Sequence, residues 1–393
     1  MLLEHIPAVN PIHRVNEAVR LRLARAQRNT IEQAFQTAAA VCDSVFSDLK
    51  IAVASPPDLA DQDPRTITDE PLSDLVTRFL ALFVSAGIPE SHARLHAVNA
   101  ARRVQLVRGF DEPDSIVEMV TAKAQDIAQA FPRTASDLEC GRNPGDVLDP
   151  FILTATQTLL YGGDFASAIG ATVAHKALMI IEGLIGHLHE DVIGHMRGNV
   201  KAPEPRGFNQ EIIDLETNPF PGADIVQPPT SANGALRFHQ VKSKTGSAKG
   251  GDGKRLGDQL RVLAQYYHGE VFYDALTGNT LKGHRSMGAV LTAAPNAVVL
   301  VGSAAFKALT GSTHGAELLL RLYQTAFTEA AIRSGYAIDA MTVGIVETFR
   351  ARAAECGDGL LESILADSTS GQEDDQDSRI FPPAVRRRAR TGG

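Results

Sequence analysis

Cysteine is scarce in this chain, and the three present, Cys42, Cys140 and Cys356, lie far apart. An odd, scattered set builds no disulfide framework and no CxxC metal knuckle, so reduced thiols are expected. Long apolar runs are also lacking. The most apolar helix-like stretch, Ala177 to Ile185, is short for a bilayer and carries Glu182. The opening residues MLLEHIPAVNPIHR have no basic start followed by an apolar run, so no signal peptide is expected. No repeat of fixed period is found. These absences together predict a soluble, cytoplasmic protein. A phosphate loop is missing too. The glycine-rich segment GSAKGGDGKRLG fails G-x-x-x-x-G-K-[ST], because Ala248 stands five residues before Gly253 and Arg255 follows the lysine.

What is present is a chain of 393 residues, 44% hydrophobic, which is enough to bury one large core or two ordinary ones. The net charge of −8 does not exclude a nucleic-acid partner, since the field along the contact face decides that. Helical periodicity runs from about Val15 to Leu49, and again over Leu72 to Ala86, Glu90 to Val107 and Pro113 to Phe131. The proline-rich, acidic stretch from Ser55 to Pro71 reads as a loop. Helices continue from Phe151 to Met196. The texture then changes to short apolar runs broken by Pro and Gly, as strands and turns are. LRFHQVKSK alternates like a strand. A helix is expected over Asp258 to Tyr267, strands at GEVFYDAL and AVVLVG, and a last helix over Glu317 to Ser334. The expected organisation is a helical region over 1–150, an α/β (α+β) core with a mixed sheet over 151–350, and a disordered tail over 357–393. That tail is acidic first and ends in RRRAR.

The chemistry concentrates in PGADIV and FHQVKSK. Asp224 sits on or just before one expected strand, and Gln240 and Lys242 lie two apart on the next, so they leave the same face. An antiparallel connection would bring Asp224 opposite that pair. Phosphodiester hydrolysis needs such a group, with oxygens to hold a hard divalent cation and a positive charge beside the attacking water. Asp224 is the anchor; the side-chain carbonyl of Gln240 and the backbone carbonyl of Val241 would add oxygens. Lys242 would orient the water, and Lys244 would hold a flanking phosphate. Between Arg237 and Arg261 stand seven Lys/Arg against two Asp, a strong local basic excess. Lys249, Lys254 and Arg255 would therefore contact phosphates, and His284 and Arg285, in LKGHRSMG, would reach bases.

This pattern resembles the PD-(D/E)xK nuclease superfamily, with its Asp at Asp224, its second acid replaced by Gln240 and its Lys at Lys242. Pro221 is not adjacent to the Asp, and glutamine removes one negative charge. The resemblance implies Mg²⁺ as cofactor and a helical acid before the first strand, for which Glu182 is the first candidate and Glu190 and Glu211 are rivals. The second half, from HQVKSKTGSAKGGDGKRLGDQL through GHRSMGAV to VVLVGSAAFKALTGS, further resembles the ApaLI-like type II restriction endonucleases. That likeness implies a homodimer cutting double-stranded DNA at a short palindrome of the GTGCAC type, with a cognate DNA methyltransferase as genetic partner.

Two other readings remain open on the residues. A nuclease-like fold that has lost its second acid would bind DNA without cutting it. His187, His189 and Asp191 fit HxHxD and would serve a Zn²⁺-dependent hydrolase, although the flanks read as helix.

Overall fold

A computed structural model describes residues 11–131, 149–204, 215–230, 234–244, 252–278, 285–312, 314–334, 338–356 and 360–369. The chain forms two compact units. One comprises Met1–Gln125 with Gly183–Arg333, the other Asp126–Glu182 with Ser334–Gly393. The division therefore differs from the expected boundary near residue 150, because the first helices and the sheet belong to the same unit.

In the first unit the helix expected over Val15 to Leu49 is three helices: α1 (Glu17–Arg28), α2 (Ile31–Ala34) and α3 (Ala38–Asp48). The breaks have local causes. Asn29 ends α1, Thr30 and Gln33 form a reciprocal capping box on α2, and the Thr37 side chain caps α3. Then follow α4 (Pro64–Thr68), α5 (Leu72–Ser85), α6 (Glu90–Val107) and α7 (Pro113–Ala130). α3 to α6 share one core, centred on Phe46, Phe79 and Phe83, with Phe46 edge-on to the other two at 5.2 Å.

Five strands form one mixed sheet in the order β1 (Val200–Lys201), β2 (Ile225–Gln227), β3 (Arg237–Lys244), β4 (Glu270–Thr277) and β5 (Val298–Val301). β2 runs antiparallel to both its neighbours, β1 and β3, whereas β3, β4 and β5 run parallel. Helices flank this sheet, as the α/β reading expected. α8 (Pro150–Ala155) and the first part of α9 (Phe165–Gly194) belong to the second unit; the end of α9 belongs to the first. By length and composition, α9 is long and apolar enough to cross a membrane.

The two parallel crossovers are made by α10 (Asp252–Tyr267) and α11 (Arg285–Ala293). α10 begins six residues before its expected start, so Gly253 and Gly257 are helical. They let α11 approach closely. A Cβ at Gly257 would stand 2.7 Å from both the Val290 carbonyl oxygen and the Ala293 side chain, and one at Gly253 would stand 2.7 Å from the Ser286 carbonyl. Gly257→Val should therefore cost about 3 kcal/mol, the upper end for overpacking, read as a lower urea midpoint. A variant as stable as the wild type would show that the helices separate at no cost.

After β5 come α12 (Ser303–Thr310) and α13 (Gly315–Ser334). The second unit adds α14 (Ile338–Cys356) and α15 (Leu360–Thr369). α15 lies inside the segment expected to be disordered. It is ordered because Leu360 and Ile364 are buried with Leu153, Ile169 and Phe349.

Candidate active site at the ends of two strands

One face of β3 changes character along its length. Phe238 is fully buried in the core beneath α10, whereas Gln240 and Lys242, further along the same face, line a cavity of about 450 Å³. Glu190 and His187 from α9, Glu204, Asp224 and Arg255 are the other ionisable groups in its wall.

Asp224 is held by backbone bonds on both sides. Its N–H donates to the His239 carbonyl at 2.8 Å, and its carbonyl accepts from Ala202 N–H at 2.8 Å. The chain arrives there through a turn whose Gly222 has φ +78°. A Cβ at Gly222 would stand 2.8 Å from Gln259 Cβ, so a side chain is excluded on two grounds. Phe220, Phe238 and Tyr267 pack mutually at 5.4–5.7 Å beneath the turn, and the Tyr267 hydroxyl donates to the Pro219 carbonyl at 3.0 Å.

The Asp224 carboxylate faces the following strand as expected. Its Oδ2 accepts from Gln240 Nε2 at 2.5 Å and from Val241 N–H at 2.7 Å. An extended residue sends its N–H and C=O to the same side, so the Val241 carbonyl also faces the edge where β2 has not yet begun. Burial, and then the charge of Glu190, push the Asp224 carboxyl up to about 8; Lys242 and the Val241 N–H pull the other way. Glu190 is raised too, first by burial, with Lys242 again opposing. Two carboxylates thus share one lysine, leaving a negative excess in a partly dehydrated cavity.

The structure separates the other expected residues. Glu190, not Glu182, is the helical acid of this cavity; Glu182 belongs to the other unit. Arg255 lines the wall. Lys254 instead pairs with Asp258 one turn on, at 2.7 Å, and Arg261 joins Asp258 at 3.2 Å. Lys249, His284 and Glu211, with the side chains of Lys244 and Arg285, lie outside the described residues. Glu204 was not anticipated, and His187, expected only as a Zn²⁺ ligand, lines this wall instead. Glu204 lies two residues after Ala202, the residue bonded to Asp224, a signal readable only once β1 is known.

The Zn²⁺ reading does not survive the geometry. His187 and Asp191, four residues apart, share a helix face, but His189 lies two residues from each and points away from both, so the three do not converge. His189 is half-buried, 2.9 Å from the Tyr323 hydroxyl, and burial lowers its pKa to about 4. Asp191 is bridged to Lys123 and Lys201. Among the described residues, no three His, Cys, Asp or Glu stand together as metal ligands.

Behind the cavity, on the other face of β3, His239 and Asp274 form a fully buried pair at 2.7 Å. Gln227 Nε2 donates to Asn199 Oδ1 and to the Ala308 and Leu309 carbonyls. Its oxygen therefore faces His239 Nε2, at 3.2 Å, which must carry a hydrogen. One further proton is shared between His239 Nδ1 and Asp274.

No family model matches the chain. Over 107 residues it is 25% identical to an endoribonuclease YbeY from Leuconostoc mesenteroides, a stretch covering 27% of this chain and 61% of that protein. The chain thus spans about three fifths of the length of the curated relative it matches.

Proposed function

We propose that the protein is a metal-dependent endonuclease hydrolysing phosphodiester bonds of double-stranded DNA, with its chemistry at Asp224, Gln240 and Lys242. The observation that carries this reading is the shared cavity in which two raised carboxylates, Asp224 and Glu190, meet a single lysine. A hard divalent cation, Mg²⁺ in this proposal, suits that charge imbalance and the all-oxygen donors. Asp224 and Glu190 would hold it, with the Gln240 amide and the Val241 carbonyl beside them. When bound, it neutralises charge on the phosphate and makes a water acidic.

The chain's own groups do the rest. Val241 N–H and Gln240 fix the Asp224 carboxylate. Lys242 supplies the positive charge that favours hydroxide and offsets developing phosphate charge. Arg255 adds a second cation to the wall. The finer reading, a homodimeric type II restriction enzyme partnered by a methyltransferase, follows from the motif likeness. The similarity to a protein named an endoribonuclease favours RNA as a second substrate reading. The Gln240 amide already bonded to Asp224 favours a third, a binding protein that does not cut.

The deciding experiment incubates the purified chain with plasmid DNA, linear duplex and structured RNA, each with Mg²⁺, with Mn²⁺ and with chelator. Discrete, metal-dependent DNA fragments are expected. RNA cleavage alone would replace the substrate, and shifted but uncut DNA under every metal would leave a binding protein.

A further inference from the structure

A second cavity, of about 490 Å³, opens at the other end of β3 in the same unit. Arg237, Arg65, Arg108 and Arg197 line it, and Glu32 is the single acidic residue among the described lining residues. Three of these arginines are already engaged. Arg65 bridges Glu32 and Asp63 at 3.1 and 3.0 Å. Arg108 meets Asp69 at 2.8 Å, and Arg197 is tied to Asp111, Asn29 and the carbonyls of Val107 and Phe110.

Arg237 is different. No hydrogen bond or ion pair engages its guanidinium among the described residues, and its Nε is buried without an acceptor. An arginine does not shed its proton at physiological pH, so a half-buried guanidinium in this position has unmet hydrogen-bonding demand. Burial works against its charge, and Glu270 and Asp274 compensate only through space. An anion entering the cavity would meet that demand. The hydroxyl residues Thr230, Thr310 and Ser312 add polar groups to the wall, and among the described lining residues no aromatic ring offers a stacking platform for a base.

We propose that this cavity is a phosphate-binding site in which the Arg237 fork holds phosphate oxygens, separate from the Asp224 cavity. Its separateness follows from the strand. Arg237 and Lys242 leave opposite faces of β3, five residues apart, roughly 17 Å along the backbone. Guanidinium forks match phosphate oxygens two at a time, and the cavity has room for the organic part of a phosphate ester. The phosphate belongs either to a free ester or to the backbone of bound nucleic acid.

The test titrates inorganic pyrophosphate into the full-length chain by calorimetry, without divalent metal, so it does not depend on nuclease activity. One-to-one binding is expected. Arg237→Gln should weaken it at least about tenfold, Arg237→Lys should restore only part, and Lys242→Ala should leave it unchanged. If Arg237→Gln melts early, Arg65→Gln, a change at an exposed residue, carries the comparison and should weaken binding by about threefold. Pyrophosphate that competes with a DNA duplex, together with weaker duplex binding by Arg237→Gln, assigns the phosphate to nucleic acid. Independent binding of the two assigns it to a free ester. The proposal is overturned if the wild type takes up no pyrophosphate, if Arg237→Gln binds it equally well, or if Lys242→Ala abolishes binding.

Discussion

Under the proposed nuclease mechanism, Lys242→Ala is expected to lower turnover by about 10²–10³-fold, while the affinity for uncut duplex falls far less. The reason is the position of Lys242. It is the positive charge that opposes the raised pKa of both Asp224 and Glu190. Removing it takes away the electrostatic stabilisation of developing charge and drives both carboxyl groups further upward. The acidic limb of the pH–rate profile should therefore move to higher pH in Lys242→Ala. A merely structural lysine would not produce that shift. Lys242→Arg should keep the limb near its original place and recover part of the rate, because charge is retained but the group is larger and planar. An unchanged rate in Lys242→Ala would remove this lysine from the mechanism.

The second large effect is on stability. Asp224 has a folded-state value of about 8 against an ordinary 3.8, so the folded chain retains a proton that the unfolded chain has lost. Its favourable contribution is therefore complete below pH about 4 and is lost as the pH rises through about 8. Above that, the fold carries an ionised carboxylate that it disfavours. Asp224→Asn keeps an oxygen for Gln240 Nε2 and Val241 N–H and has no charge to bury. It should melt higher than the wild type at pH 8–9 by about 4–8 °C, corresponding to roughly 2 kcal/mol once screening within the cavity is allowed for. The gain should shrink toward pH 5. Millimolar Mg²⁺ should raise the wild-type midpoint at pH 8 and leave Asp224→Asn unmoved. Equal metal shifts in both proteins would take the cation away from Asp224.

Much of this site is legible in the sequence because strand geometry is local. Gln240 and Lys242 share a face by parity alone, and a short return before them brings Asp224 alongside. What could not be read depends on tertiary contacts. Glu182 and Glu190 lie on one helix with similar neighbours, and only the path of the chain selects Glu190. β1 is two residues long, too short for any periodic signal, yet its continuation at Ala202 fixes the Asp224 carbonyl. GGDGKRLG reads as a loop by composition, since glycine disfavours helix. The reason for Gly253 and Gly257 is the closeness of α11, which lies some thirty residues away. The Val15–Leu49 pattern is periodic throughout, and its breaks come where Asn29 ends one helix and the Thr30 and Thr37 side chains cap the next two.

The buried His239–Asp274 pair has a consequence for how β3 finds its place. Sliding that strand by one residue would exchange its two faces, sending His239 toward the cavity and Gln240 and Lys242 into the dry interior. Phe238 would resist this weakly, because the His239 side is also fully buried. The His239 ring resists it strongly, since only one alignment places Asp274 on one nitrogen and Gln227 on the other. The polar contacts on the hidden face thus act as an address. They tell β3 where to stop, and in doing so decide which side chains the visible face presents.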